Sequence, residues 1–253
     1  MAALSGALAR AAASAVTSRR VLVAASLPPT CGSYAPAAFT PAQAARVLGV
    51  LVPALSPHAD VWLAETLGAV AEARAADAAL RAAGVRADGR PLWLSFTLRG
   101  MGDAASDAAK GVAEQPLLLS GESVADAVAA ALELGASALL FNCAPPEVMR
   151  AAVAAARAAL EPLCGTKASE ASSAAAPRLR LGVYANAFAQ EPSPEAPANA
   201  AVLPLRPELT PAAYASFAAQ WRAEGASILG GCCGVGPAHI AALAAAVRDT
   251  RDA

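Results

Sequence analysis

Gly230-Gly231-Cys232-Cys233-Gly234 follows the apolar run 226–229, and Asn142-Cys143 follows Leu139-Leu140-Phe141. Three of the five cysteines therefore stand at the ends of short hydrophobic segments that lead into helical patterns. Parallel α/β folds gather their chemistry at such strand ends. Three thiolates brought to one point form a soft, sulfur-rich donor set suited to Zn²⁺. Three protein ligands and an open fourth position is the catalytic arrangement of zinc; four closed ligands is the structural one. No fourth cysteine has strand-end spacing. The two histidines, His58 and His239, fall near a strand start and within the last helical segment. The fourth position would then be free for a substrate sulfur, deprotonated by the metal yet still nucleophilic.

Adjacent side chains on a regular strand point to opposite faces, so Cys232 and Cys233 can share one ion only if the backbone leaves the strand there. Gly230, Gly231 and Gly234 permit positive φ and close approach at that point. Two other readings stay open on the residues alone. The cysteines can be small buried hydrophobes, or the vicinal pair can form a strained disulfide. Cys31, in the loop after the first strand, lies where active-site residues also gather. Cys164, at a helix end, reads as a bystander surface thiol.

Six strand-then-helix units position these residues. Strands are expected over 21–26, 61–65, 91–98, 138–142, 179–186 and 227–230. Thr40-Pro41 and Thr210-Pro211 each read as an N-cap followed by proline at the first helical position, and Ser123 caps a helix reaching Leu134. Helices are also expected over 2–16, 69–83, 146–160 and 237–247, with Pro53 kinking or ending the one that starts at Pro41. Alternating strands and helices imply parallel pairing with right-handed crossovers. The Ser/Ala-rich stretch 165–177 and the Pro/Ala-rich stretch 190–207 read as long loops inserted into one domain spanning 21–253. A closed barrel of this type needs eight units, while an open parallel sheet covered on both faces can use six; periodicity does not choose between them.

The 253 residues, 57% hydrophobic and 15% charged, can bury a substantial core. A net charge of -1, with three Trp and three Tyr, offers neither a field for nucleic acid nor a platform for stacking bases. No apolar stretch is long enough to span a bilayer without Pro, Gly or charge. Five scattered cysteines fit a reducing compartment such as the cytoplasm. Residues 1–59 lack Asp and Glu and carry Arg10, Arg19 and Arg20 in an Ala/Ser background. Residues 1–20 thus read either as a surface helix or as a leader resembling an organelle transit peptide.

Residues 23–29 (Val-Ala-Ala-Ser-Leu-Pro-Pro), Leu63-Ala-Glu65-Thr66, Ser95-Phe-Thr97, Asn142-Cys143-Ala-Pro-Pro, Tyr184-Ala-Asn186 and the run from Gly230 to Ile240 occur in the order in which a known family carries similar segments. The chain resembles the homocysteine S-methyltransferases, the two cysteine motifs being the most specific. That resemblance implies a (β/α)₈ barrel, and Zn²⁺ held by Cys143, Cys232 and Cys233. It implies homocysteine as methyl acceptor, with its sulfur at the open metal position. Glu65 matches the family glutamate that pairs with the homocysteine amino group, and Asn142 is expected to orient the substrate site beside the ligand it precedes. The donor is expected to be a sulfonium, S-methylmethionine or S-adenosylmethionine. The front departs from the family: nothing in residues 1–20 matches its first strand, which carries Asp-Gly-Gly. The chain therefore resembles strands three to eight, an incomplete barrel. A truncated or diverged zinc-binding homologue without catalysis, its open barrel covered by a partner, is the alternative; a homo-oligomer is a separate expectation.

Overall fold

The computed structural model describes residues 1–99, 115–164, 179–189 and 203–249. Among these, the elements follow as α1 (Ala2–Ser14), β1 (Ala24–Leu27), α2 (Pro41–Leu55), β2 (Val61–Leu67), α3 (Val70–Ala82), β3 (Leu92–Phe96), α4 (Val124–Glu133), β4 (Ala138–Asn142), α5 (Pro146–Cys164), β5 (Arg180–Tyr184), α6 (Pro211–Ala223), β6 (Ile228–Leu229) and α7 (Pro237–Asp249). The expected stretch 165–177 lies outside the described residues, as does 190–202 of the second inserted loop.

The helix starts have local causes. Thr40 and Thr210 accept hydrogen bonds from the N–H groups of Gln43 and Ala213, each ahead of a proline with no N–H to satisfy. Ser123 and Asp126 form a reciprocal capping box on α4. α3 has alanine at its N-cap, which offers no side-chain acceptor. Carboxylates take over: Glu72 accepts from the N–H groups of Gly68 and Ala69, and Glu122 from that of Val70. Helix α2 continues past Pro53 to Leu55, and a short 3₁₀ turn, Ser56–His58, then ends it.

The six strands are all parallel and lie in sequence order. Every crossover therefore steps in one direction, which puts the helices on one face, as in a barrel. A doubly wound sheet would reverse its order at a switch point. The sheet is an open six-stranded arc, an incomplete barrel. Its helix-facing rows are continuous and apolar. Leu27, Ala64, Leu94, Leu139 and Leu181 form one row; Leu67, Phe96, Phe141, Val183 and Leu229 form the next. The concave row Ser26, Leu63, Trp93, Ala138 and Arg180 is exposed at its ends, Ser26 and Arg180, half-buried at Leu63 and Trp93, and buried at Ala138. Strand β4, at the centre of the arc, is buried at every residue. Helix α1 docks outside the arc, where Arg10 bonds the Asp60 carboxylate and the His58 carbonyl, and Gly6 lies against the His58 ring.

Candidate metal centre

The carboxyl ends of the strands converge on Cys143, Cys232 and Cys233. Cys143 follows β4 and is buried, with its backbone in the left-handed region at φ 54°. Its carbonyl accepts from the Asn186 amide at 2.9 Å and from the Thr97 hydroxyl at 3.4 Å. The pair arrives from β6, a strand of two residues. The Gly230 N–H bonds Val183, the Cys232 N–H bonds Ala185, and the Cys233 carbonyl accepts from the Ala187 N–H. The chain thus follows the end of β5 and then turns. Gly231 makes the turn through close approach, since a Cβ there would lie 2.1 Å from the Val235 side chain. Gly234 makes it through φ +78°. Gly230 has a milder close approach, a Cβ there lying 3.3 Å from that of Tyr184.

The Tyr214 hydroxyl lies 2.9 Å from the Gly230 carbonyl and 3.1 Å from that of Ala185, joining the ends of β5 and β6. Its ring meets His239 edge-on. His239 Nδ1 accepts from the Gly236 N–H, so Nε2 carries the proton and donates to the Leu209 carbonyl at 2.9 Å. Both its nitrogens are engaged in bracing the loop, which keeps it out of the sulfur cluster.

The three Sγ atoms are 3.1 Å (Cys143–Cys232), 3.7 Å (Cys143–Cys233) and 3.8 Å (Cys232–Cys233) apart. Zinc–sulfur bonds of about 2.3 Å in a tetrahedron place sulfurs about 3.8 Å apart. Two edges match this, and the third, at 3.1 Å, needs to open by about 0.7 Å. Among the described residues this is the one group of His, Cys, Asp and Glu side chains close enough to hold a metal. All three are free thiols, as is Cys31, so the vicinal disulfide is not formed. The thiols titrate together. Hydrogen bonds from Cys143 and Cys232 hold Cys233 down, to about 3, while the same contacts and burial push Cys232 up. A metal that binds here has to displace the thiol protons.

A polar clamp adjoins the cluster. Strand β2 bulges after Ala64, so that Glu65 and Thr66 together oppose Ser95, and Thr66 adopts φ 59°. Asn142, fully buried, holds the bulge. Its Oδ1 accepts from the Ser95 hydroxyl at 2.7 Å and the Thr66 N–H at 3.0 Å, and its Nδ2 donates to the Thr66 hydroxyl at 2.9 Å. Glu65 points to the concave side, where the Tyr184 hydroxyl donates to it at 2.9 Å. Burial, and then the Glu65 charge, push the Tyr184 phenol well up, which keeps it a donor.

Tyr34, in the loop after β1, reaches the Cys143 sulfur at 2.8 Å; burial foremost, then the Cys143 sulfur, raise its phenol. Sequence reasoning missed Tyr34, and placed Tyr184 only within a matching segment. The left-handed backbone at Tyr34, Thr66 and Cys143 carries no sequence signal, since none of the three is glycine. The Cys31 sulfur accepts from the Thr40 N–H at 3.3 Å and stands outside the cluster. Cys164 ends α5, and its side chain lies outside the described residues.

A one-way parallel α/β arc with a three-thiol cluster able to hold a metal at its carboxyl end is the class this geometry defines. A family model described as homocysteine S-methyltransferase matches residues 1–247. The chain belongs to that family, and with it to the methyltransferases. It is similar to the homocysteine methyltransferase MmuM of Escherichia coli. A metallated form of that enzyme is 26% identical, with a TM-score of 0.62, over 96% of this chain and 69% of that one. An apo form is also 26% identical, with a TM-score of 0.59, over 97% and 74%. A search of curated proteins returned no match. No helix among the described residues is long and apolar enough to cross a membrane.

Proposed function

We propose that this chain is a zinc-dependent homocysteine S-methyltransferase that draws its methyl group from a sulfonium donor, S-methylmethionine or S-adenosylmethionine. The observation that carries the reading is the convergence of Cys143, Cys232 and Cys233 from two strands that lie far apart in sequence. These three side chains would hold the ion, which supplies a Lewis acid that keeps an incoming thiol deprotonated. Glu65, oriented by Tyr184, pairs with the acceptor's ammonium group. Asn142 serves the substrate site from behind, through the Thr66 bulge that aims Glu65. In the transfer, the acceptor sulfur forms a bond to the methyl carbon as the donor's sulfur–methyl bond breaks. The donor's positive charge is lost with that bond, a neutral thioether leaves, and no general acid is required. Holding both sulfurs in line is worth about 7–11 kcal/mol in favourable cases. Four free thiols among the described residues support a reducing compartment, the cytoplasm.

The chain, reconstituted with zinc and given homocysteine and S-methylmethionine, should bind one ion and form methionine. Cys232→Ser should do neither. Full activity in that variant without metal would overturn the reading. A wild-type chain that binds zinc but transfers no methyl group would support the non-catalytic alternative, which the open sheet edge motivates.

A further inference from the structure

We infer that Tyr34 is a positioning residue of the metal centre, its hydroxyl donating a hydrogen bond to the sulfur of Cys143. The inference rests on the metal reading above and adds a residue outside the ligand set.

Three observations carry it. The phenol oxygen lies 2.8 Å from Cys143 Sγ, and no comparable hydrogen bond joins it to Cys232 or Cys233. Its hydrogen bond therefore singles out one sulfur of the trio. The backbone of Tyr34 is left-handed at φ 64°, a conformation that a bulky aromatic residue adopts only when its surroundings impose it. The loop that presents it is also seated. Gly68, just beyond β2, lies so close to Pro36 that a Cβ would be 3.1 Å from the ring, and the Thr40 N–H bonds the Cys31 sulfur. Tyr34 is thus held against Cys143 from the strand that carries Glu65.

The direction of the bond follows from the chemistry. A metal-bound cysteine is a thiolate without a proton, so the phenol has to donate. That bond stabilises negative charge on the sulfur and fixes its orientation, as outer hydrogen bonds do for metal ligands generally. It also withdraws electron density from the sulfur, leaving the ion a stronger acid toward an incoming thiol.

The test compares the wild-type chain with Y34F and Y34L. Y34F should bind zinc about 10- to 100-fold more weakly in competition with a chromophoric chelator. In the cobalt-substituted protein, its sulfur-to-metal charge-transfer band should move to lower energy. Y34L should show the same band shift, because the hydroxyl and not the ring carries the effect. Y34F with wild-type zinc affinity and an unmoved band overturns the inference while leaving the metal reading intact, and a change confined to Y34L does the same. A wild-type chain that takes up no metal ends both. Should Y34F fail to fold, the cadmium-substituted wild-type chain decides: a phenol proton bonded to a metal-bound sulfur couples to the metal in its NMR spectrum, and absence of that coupling overturns the inference.

Discussion

Cys143 and the Cys232–Cys233 pair reach one point from opposite kinds of scaffold. Cys143 hangs from β4, the central strand of the arc, whose residues are all buried. Its carbonyl is pinned from two neighbouring strand ends. The pair follows a two-residue strand at the edge of the arc. Cys232 is half-buried and Cys233 is exposed. Apolar packing fixes one ligand before any metal arrives. The other two depend on a glycine turn and a few hydrogen bonds, so theirs is the geometry that a bound metal would complete. A rigid arm and an adjustable arm let the 3.1 Å sulfur contact open to the tetrahedral spacing without disturbing the core.

The largest expected effect treats the arms alike. Cys143→Ala and Cys232→Ala should each lower zinc stoichiometry to zero and reduce methyl transfer to background, measured by metal analysis and methionine formation. The arms should then separate in the metal-free wild-type chain. Amide exchange after chelation should rise across residues 230–236 and stay low across 138–143, because β4 keeps its packing. Equal loss of protection at both would break the contrast.

A smaller effect probes the adjustable arm alone. Gly231→Ala brings a Cβ to 2.1 Å from Val235, and overpacking of this kind costs about 1–3 kcal/mol. Zinc affinity should fall, and Val235→Ala in the same chain should recover most of it. The rigid arm has its counterpart in Asn142→Ala. It leaves the Ser95 hydroxyl and the Thr66 N–H without their shared buried acceptor, at about 1–3 kcal/mol per orphaned group. Thermal unfolding should show that loss, and the KM for homocysteine should rise through Glu65, with zinc affinity nearly unchanged. A large fall in zinc affinity would mean that the clamp and the metal centre are one unit.

The same division explains what the sequence makes legible. The cysteine pair announces itself because its glycines are adjacent, and strand ends can be read because helices start soon after them. All six strands and the caps at Thr40, Ser123 and Thr210 lie where the sequence places them. The ends shift by up to three residues: β1 begins at Ala24, because the chain at Val23 instead bonds Asp60 and Val61. Sequential strand order, which decides between barrel and doubly wound sheet, has no local signature. Nor has the polar clamp. Tyr34 meets Cys143, Tyr184 meets Glu65 and Asn142 meets Thr66 only after the arc forms, and nothing within ten residues of any of them announces the pairing. The bulge at Thr66 is invisible for the same reason, since no glycine marks it.

The smallest expected effect lies away from both arms and serves as their control. Ser123→Ala removes the acceptor for the Asp126 N–H at the start of α4, and loss of such a cap costs about 1 kcal/mol. Zinc affinity and methyl transfer should not move. The pH dependence is distinctive. Hydrogen bonds from the Ser123 side chain, and then from its backbone, hold the Asp126 carboxyl below the usual range. A carboxylate depressed in the folded state stabilises above its unfolded pKa, and that stability is lost as pH falls through the folded value. The gap between wild type and Ser123→Ala in thermal unfolding should therefore be widest near neutral pH and narrow in acid, as Asp126 becomes protonated. A gap independent of pH would assign the cap to the serine hydroxyl alone. A fall in zinc affinity would show that α4 transmits to β4, and that the rigid arm is less independent of its surroundings than its burial implies.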